Sequence, residues 1–256
     1  MSETPKPVKV LISCPMVGGI YDTNPNRWLR SYLTIIADVR RLGWTYAPYF
    51  PERMSWFEAM NSTFDLAFEN EFDYILRLDD DIWGVGLDYI SKLYAADKDV
   101  IGACYAIRHF PYVLAALNRI NTTEDVIETW QTKRQNFVEA DGDGVQPVEM
   151  IGFGLTLIKV EPFKLLSRPL FPKTPGCPDD TWFAKVCMDN NIKQFVHMDL
   201  KLAHRDITPY NRKYMYNADA RFLLQSGSMK DDGSVMAKNL IDKFGVDGRK
   251  EIGTLV

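Results

Sequence analysis

Three consecutive carboxylates, Asp79-Asp80-Asp81, close an apolar run that starts at Phe72 and passes through Tyr74, Ile75, Leu76, Arg77 and Leu78. Like charges at such short range cost free energy unless a cation or hydrogen-bond donors neutralise them. Hard oxygen ligands suit Mg²⁺ or Mn²⁺, and such a cation commonly arrives with a phosphate group. The run before the triplet reads as a mostly buried strand, so the negative charge collects where a sheet meets solvent. Ligand sites of open α/β sheets lie at that end of the strands, which favours a metal and phosphate site over a solvated acidic turn.

The segments that must position the triplet alternate between strand and helix. Val8 to Ser13 reads as a central strand ended by Cys14-Pro15, and Asn24-Pro25 has the form of a helix cap followed by proline. Trp28, Leu29, Tyr32, Leu33, Ile36 and Val39 recur at helical spacing up to a stop at Gly43. A second strand is predicted over residues 44–50. Ser55-Trp56-Phe57-Glu58 reads as a capping box opening a helix whose apolar face is Phe57, Met60, Phe64 and Phe68, with Asn61 beside that face. A short helix is expected over 87–96 and a further strand over 100–107. Residues 118–147 are polar and read as a long excursion walling the acceptor side of a cleft. Met150 to Ile158 resumes the core. The alternation predicts an α/β fold with a mostly parallel sheet flanked by helices. The expected division is a catalytic domain over 1–209 and a helical extension over 210–256, whose Tyr210, Tyr214 and Tyr216 offer flat faces or core packing.

The chain of 256 residues is 46% hydrophobic and 25% charged, ordinary values for a globular protein that buries a full core. A net charge of -4 and a pI near 5.5 argue against a broad nucleic-acid-binding surface. Cys14, Cys104, Cys177 and Cys187 are widely spaced and form no paired metal-binding pattern, so reduced thiols and a cytoplasmic location are expected. No apolar stretch is long enough to span a membrane, and the polar start lacks a signal-peptide core.

Taken in order, these motifs resemble GT-A-fold, nucleotide-sugar-dependent glycosyltransferases over residues 8–210. The resemblance rests on a short first strand, a helix bearing an asparagine, a strand ending in an Asp-x-Asp signature, a Gly-Phe-Gly segment, an acidic pair before Trp-Phe, and a late histidine. It implies a GT-A-like Rossmann-type sheet with Mn²⁺ or Mg²⁺ as cofactor. Asp79 and Asp81 match the outer positions of the signature, the second binding the ion and the first touching ribose or metal, while Asp80 assists. His204, in Leu202-Ala203-His204-Arg205, matches the histidine that completes the metal shell. Gly152, Phe153 and Gly154 match the segment that approaches the donor sugar, and Pro15 the loop that cradles the base. Asn61 and Arg53 fall where relatives carry an Arg-Asn pair, although this chain reads Met60-Asn61 there. Asp180, with Asp179 before it, matches the acid that takes a proton from the acceptor in inverting members. An aspartate at that position is also a good helix N-cap.

The implied partners are a nucleoside-diphosphate sugar, with UDP as the expected carrier, and an acceptor hydroxyl. The acceptor's identity stays open among glycan, small molecule, protein and modified nucleobase, as do the stereochemical outcome and the oligomeric state. Arg108 and Arg205 are candidates for phosphate or sugar oxygens; His197 reads as structural, and His109 has no assigned role. A haloacid-dehalogenase-like Mg²⁺-dependent phosphohydrolase also places Asp-x-Asp after a strand, but wants a threonine soon after, where this chain has Ile82-Trp83-Gly84. A dinucleotide-binding oxidoreductase fits worse, because Val17-Gly18-Gly19-Ile20 lacks the Gly-x-Gly-x-x-Gly spacing. A non-catalytic nucleotide- or carbohydrate-binding protein on the same scaffold is the remaining alternative.

Overall fold

A computed structural model describes residues 7–16, 25–52, 54–106, 114–118, 142–172 and 179–204. The chain begins β1 (Lys9–Ser13), α1 (Pro25–Arg41), β2 (Thr45–Tyr49), α2 (Trp56–Glu69), β3 (Tyr74–Leu78), β4 (Ile82–Trp83) and α3 (Tyr89–Ala95). It continues β5 (Val100–Cys104), β6 (Ala116–Leu117), β7 (Val145–Val148), β8 (Met150–Ile151), β9 (Leu155–Lys159), α4 (Asp179–Asp189), β10 (Gln194–Lys201) and β11 (Ala203–His204). Seven strands form one sheet in the order β2-β1-β3-β9-β5-β10-β7. Five of them run in one direction, while β9 and β7 oppose the rest, giving a mixed, mostly parallel α/β sheet.

Side-chain alternation splits the core into two layers. Leu11, Ile75, Val100, Ile158 and Val196 face Met60, Phe64 and Ala67 of α2 and Phe183 and Cys187 of α4. Val10, Ile12, Leu76, Leu78, Ile101 and Leu157 face the opposite way, against Trp28, Ile35, Ile36 and Val39 of α1 and Ile90 and Leu93 of α3. The first layer holds a phenylalanine cluster: Phe64 lies 5.0 Å from Phe163 and 5.6 Å from Phe171 between ring centroids, and Phe183 lies 4.9 Å from Phe153.

The local signals act as expected at several ends. Gly43 takes φ +72 just beyond α1, a left-handed geometry that glycine adopts without strain. The Ser55 N–H donates to Glu58 Oε2 at 2.9 Å and closes the start of α2. The α1 face differs from expectation, since Leu29 and Leu33 are 45% and 55% exposed. Buried Ser31 and Asp38 share the inward stripe instead. Ser31 Oγ accepts the Gly84 N–H at 2.9 Å, and Asp38 Oδ2 accepts the N–H groups of Ile90 and Ser91, tying the first turn of α3 to α1. Helical spacing of apolar residues alone does not report such polar anchors.

The polar excursion is also shorter at its end than expected. Val145–Val148 is a strand, paired on one side only with β10, an edge position that tolerates Pro147. The strand expected to reach Ile107 leaves the sheet after Cys104. The backbone of Tyr105 then bonds Ala115, whose N–H donates to Tyr105 O at 2.8 Å. Residues 119–141, Arg53, Arg108, His109, Cys177, and everything from Arg205 onward, including the proposed extension 210–256, lie outside the described residues. Cys14, Cys104 and Cys187 are buried. Among the described residues no helix is long and apolar enough to cross a membrane.

Candidate functional site

The chain passes from β1 through α1 to β2 on one side, then through α2 to β3 on the other. That reversal opens a crevice beyond the carboxyl ends of β1 and β3, where α/β sheets bind ligands. Cys14-Pro15 leaves β1 there and Asp79-Asp80-Asp81 leaves β3. Because β9 runs antiparallel to β3, Gly152-Phe153-Gly154 arrives at the same edge, with Leu78 opposite Leu155. The chain returns once more when β11 pairs with β4, setting His204 opposite Ile82.

This pairing brings His204 to Asp81. Nε2 of the imidazole lies 3.4 Å from Asp81 Oδ2, and both side chains are largely buried. The other ring nitrogen, Nδ1, lies 2.8 Å from the carbonyl oxygen of Ala106. A carbonyl only accepts, so Nδ1 carries a proton, and Nε2 is the ring nitrogen that faces the carboxylate oxygen. A second proton on the ring or a cation between the two atoms would satisfy both. The pair therefore fits a divalent ion, one oxygen and one nitrogen ligand, with the remaining positions suited to phosphate oxygens and water. Among the described residues no group of three His, Cys, Asp or Glu side chains is gathered closely enough to hold a metal by itself.

Asp79 stands differently from Asp81. Its Oδ1 lies 3.4 Å from both Nε and Nη2 of Arg77, whose side chain is buried below it. Arg77 in turn lies over the Phe153 ring, 4.7 Å from the centroid. The backbone of Asp79 is clamped as well: its N–H donates to Gly154 O at 3.2 Å, and its carbonyl accepts the Trp28 Nε1–H at 3.1 Å.

Asp180 lies in the first turn of α4, one residue inside the helix rather than at its cap. Its Oδ1 accepts the Thr181 N–H at 2.7 Å, and the helix start presents positive charge to the carboxylate. Tyr105 locates Asp180 electrostatically. Burial drives the Tyr105 phenol well above its ordinary pKa, and the charges of Asp79, then Asp180, then Asp81 raise it further against the bond from Gly154. One phenol thus feels all three carboxylates. Asp179 begins α4, and its side chain lies outside the described residues.

The residues expected at the donor make the following contacts within the protein. Asn61 Nδ2 donates to Phe171 O at 2.7 Å and its Oδ1 accepts the Phe171 N–H at 3.0 Å, so the amide completes the backbone of Phe171. Gly152 and Gly154 leave room for the Tyr105 ring: a Cβ on either would collide with it, at 2.6 Å from Cε1 in the case of Gly154. Phe153 is buried under Arg77 and against Phe183. Pro15 ends β1 beside Cys14, whose thiol pKa burial pushes far up, leaving it inert. His197 lies on β10, away from the triplet's strand end; burial lowers its pKa against the opposing pull of Asp199.

Arg77, Tyr105 and Trp28 were not singled out from the sequence. Each had a signal: Arg77 is the one charge inside an apolar strand, and Tyr105 directly follows the apolar run 100–104 at the same sheet edge. Trp28 belongs to the predicted α1 stripe, and only its indole N–H distinguishes it from a plain core residue.

No family model matches the chain, and no curated protein does. Similar solved structures include A197 from STIV, at 15% identity over 77% of this chain and 94% of that one, with a TM-score of 0.45. Another is the catalytic domain of Drosophila beta1,4-galactosyltransferase 7 complexed with xylobiose, at 14% identity over 87% and 82%, TM-score 0.44. A mutant of that enzyme, complexed with manganese, UDP-Gal and xylobiose, matches at 13% over 80% and 74%, TM-score 0.44. A third is 4-diphosphocytidyl-2C-methyl-D-erythritol synthase from Anaerococcus prevotii, at 7% over 86% and 97%, TM-score 0.42. Likenesses of this size assign no role to any residue of this chain.

Proposed function

We propose that this protein is a metal-dependent glycosyltransferase, moving a sugar from a nucleoside-diphosphate donor, with UDP the expected carrier, to an acceptor hydroxyl. The observation that carries the reading is the Asp81–His204 pair, a ring nitrogen facing a carboxylate oxygen at the crevice where β1 and β3 diverge. Asp81 and His204 would hold Mn²⁺ or Mg²⁺, with Asp79 turned toward ribose or held by Arg77. When bound, the ion supplies positive charge to the departing diphosphate, which gains negative charge as the glycosidic bond breaks.

In the inverting form of the reaction, Asp180 accepts the acceptor's hydroxyl proton as the oxygen bonds to the anomeric carbon and the bond to the diphosphate breaks. The Thr181 N–H holds the carboxylate in place for that transfer. Asp81 and His204 are buried, so each electrostatic contact there is stronger than at the surface. The test is turnover of a panel of nucleotide sugars with Mn²⁺, with and without EDTA, following free nucleoside diphosphate. Release that depends on the metal supports the reading. Release from simple phosphate esters, with none from nucleotide sugars, would instead favour the phosphohydrolase.

A further inference from the structure

We infer that Tyr105 is the positioning residue that sets the spacing between the acidic triplet and His204, its hydroxyl serving one side and its ring the other. The inference rests on the glycosyl-transfer reading only for what the site binds. Tyr105 is 6% exposed and directly follows β5. Its hydroxyl accepts the Gly154 N–H at 3.2 Å, and the carbonyl of the same glycine accepts the Asp79 N–H at 3.2 Å. A single residue, Gly154, therefore couples the phenol to the backbone of the first aspartate.

On the other side, the ring meets the His204 imidazole edge-on, with centroids 5.3 Å apart and planes at 89°. The carbonyl of the next residue, Ala106, accepts the Nδ1–H of the same imidazole. Ring contact and carbonyl together turn Nε2 toward Asp81. Glycine at 152 and 154 is what lets the phenol lie this close to the backbone. A phenylalanine would fill the same space but leave the buried Gly154 N–H without its acceptor, which a buried backbone donor does not tolerate cheaply. Hydroxyl and ring thus do separable work, and substitutions can remove them one at a time.

The experiment uses the full chain, with Mn²⁺ alone as the metal probe and two NMR readouts in the metal-free protein: Gly154 amide exchange and the ¹⁵N signature of the His204 ring. Wild type should show a protected Gly154 amide and a His204 ring with Nδ1 protonated. Tyr105→Phe should speed Gly154 exchange, keep the Nδ1–H signal, and weaken Mn²⁺ binding about tenfold. Tyr105→Leu should also lose the ordered Nδ1–H signal and weaken Mn²⁺ about a hundredfold. Wild-type exchange in the phenylalanine variant, or a wild-type ring signature and Mn²⁺ affinity in the leucine variant, would overturn the inference. Should the leucine variant not fold, the phenylalanine variant decides alone. Should wild type bind no Mn²⁺, the glycosyl-transfer reading falls while the two NMR readouts still decide the role of Tyr105.

Discussion

Arg77 and Asp79 are two residues apart, and the strand end folds the guanidinium under the carboxylate so that both Nε and Nη2 reach Oδ1 at 3.4 Å. A buried cation beneath three carboxylates offsets part of their mutual repulsion. Removing one partner of such a pair costs more than the pair itself contributes, because the other charge is left behind. Arg77→Leu should therefore destabilise the fold by about 3 kcal/mol, the low end for buried pairs, since Asp79 retains some solvent. Urea denaturation reads this directly, and a loss below about 1 kcal/mol would mean that Asp79 does not depend on Arg77.

Asp81→Asn preserves shape but replaces one accepting oxygen with a donating NH₂ and removes the charge that faces His204. UDP binding in Mn²⁺ should fall to the level seen in EDTA while the melting temperature holds. Calorimetry with and without chelator makes the comparison, and an unchanged Mn²⁺-dependent gain in affinity would remove Asp81 from the metal site.

Asp180→Asn retains an oxygen to accept the Thr181 N–H, so stability should barely change. If the carboxylate takes the acceptor's proton, turnover should drop about a hundredfold or more at constant donor affinity. Near-normal transfer by this variant would leave Asp180 a purely structural place in the first turn of α4.

Asn61→Ala strips both partners from the backbone of Phe171. The expected cost is about 1–3 kcal/mol of stability, with nucleotide affinity unchanged. A variant of normal stability that binds donor poorly would restore the ligand-contacting role expected from the sequence.

His197 supplies a pH dependence. Burial lowers its folded pKa below the ordinary value of 6.5, so the unfolded chain binds the proton more readily than the folded one. The stability it contributes is complete above the unfolded pKa and is lost as pH falls through the folded value. Denaturation midpoints of wild type should decline as pH falls below the ordinary value of 6.5, and His197→Gln should flatten part of that decline. Parallel curves for the two proteins would show that His197 does not titrate differently on folding.

The strand ending in Asp79-Asp80-Asp81 was legible because charge at the end of an apolar run has few structural uses, and its neighbours β1, α1, β2 and α2 carried clear periodicity and caps. The meeting of His204 with Asp81 was reachable only by resemblance: it depends on a two-residue ladder, Ala203 and His204 against Trp83 and Ile82, too short to leave a pattern. Asn61 marks a physical limit of the sequence. A polar residue beside an apolar helix face looks the same whether it meets a ligand or an adjacent backbone. Leu29 and Leu33 misled, since Ser31 and Asp38 hold inward positions through bonds made to residues distant in the chain.

The pairing of β11 with β4 also sets an order of assembly. Asp81 emerges early during synthesis, and β1, β2 and β3 can join through short crossovers before the rest of the chain exists. His204 reaches its carboxylate only after β5, β9 and β10 have stacked across the sheet, because β10 delivers β11 to that edge. A nascent chain that stops short of β11 would carry the acidic triplet without its imidazole. The site is thus completed by one of the longest-range closures in the fold, made by strands outside the main sheet.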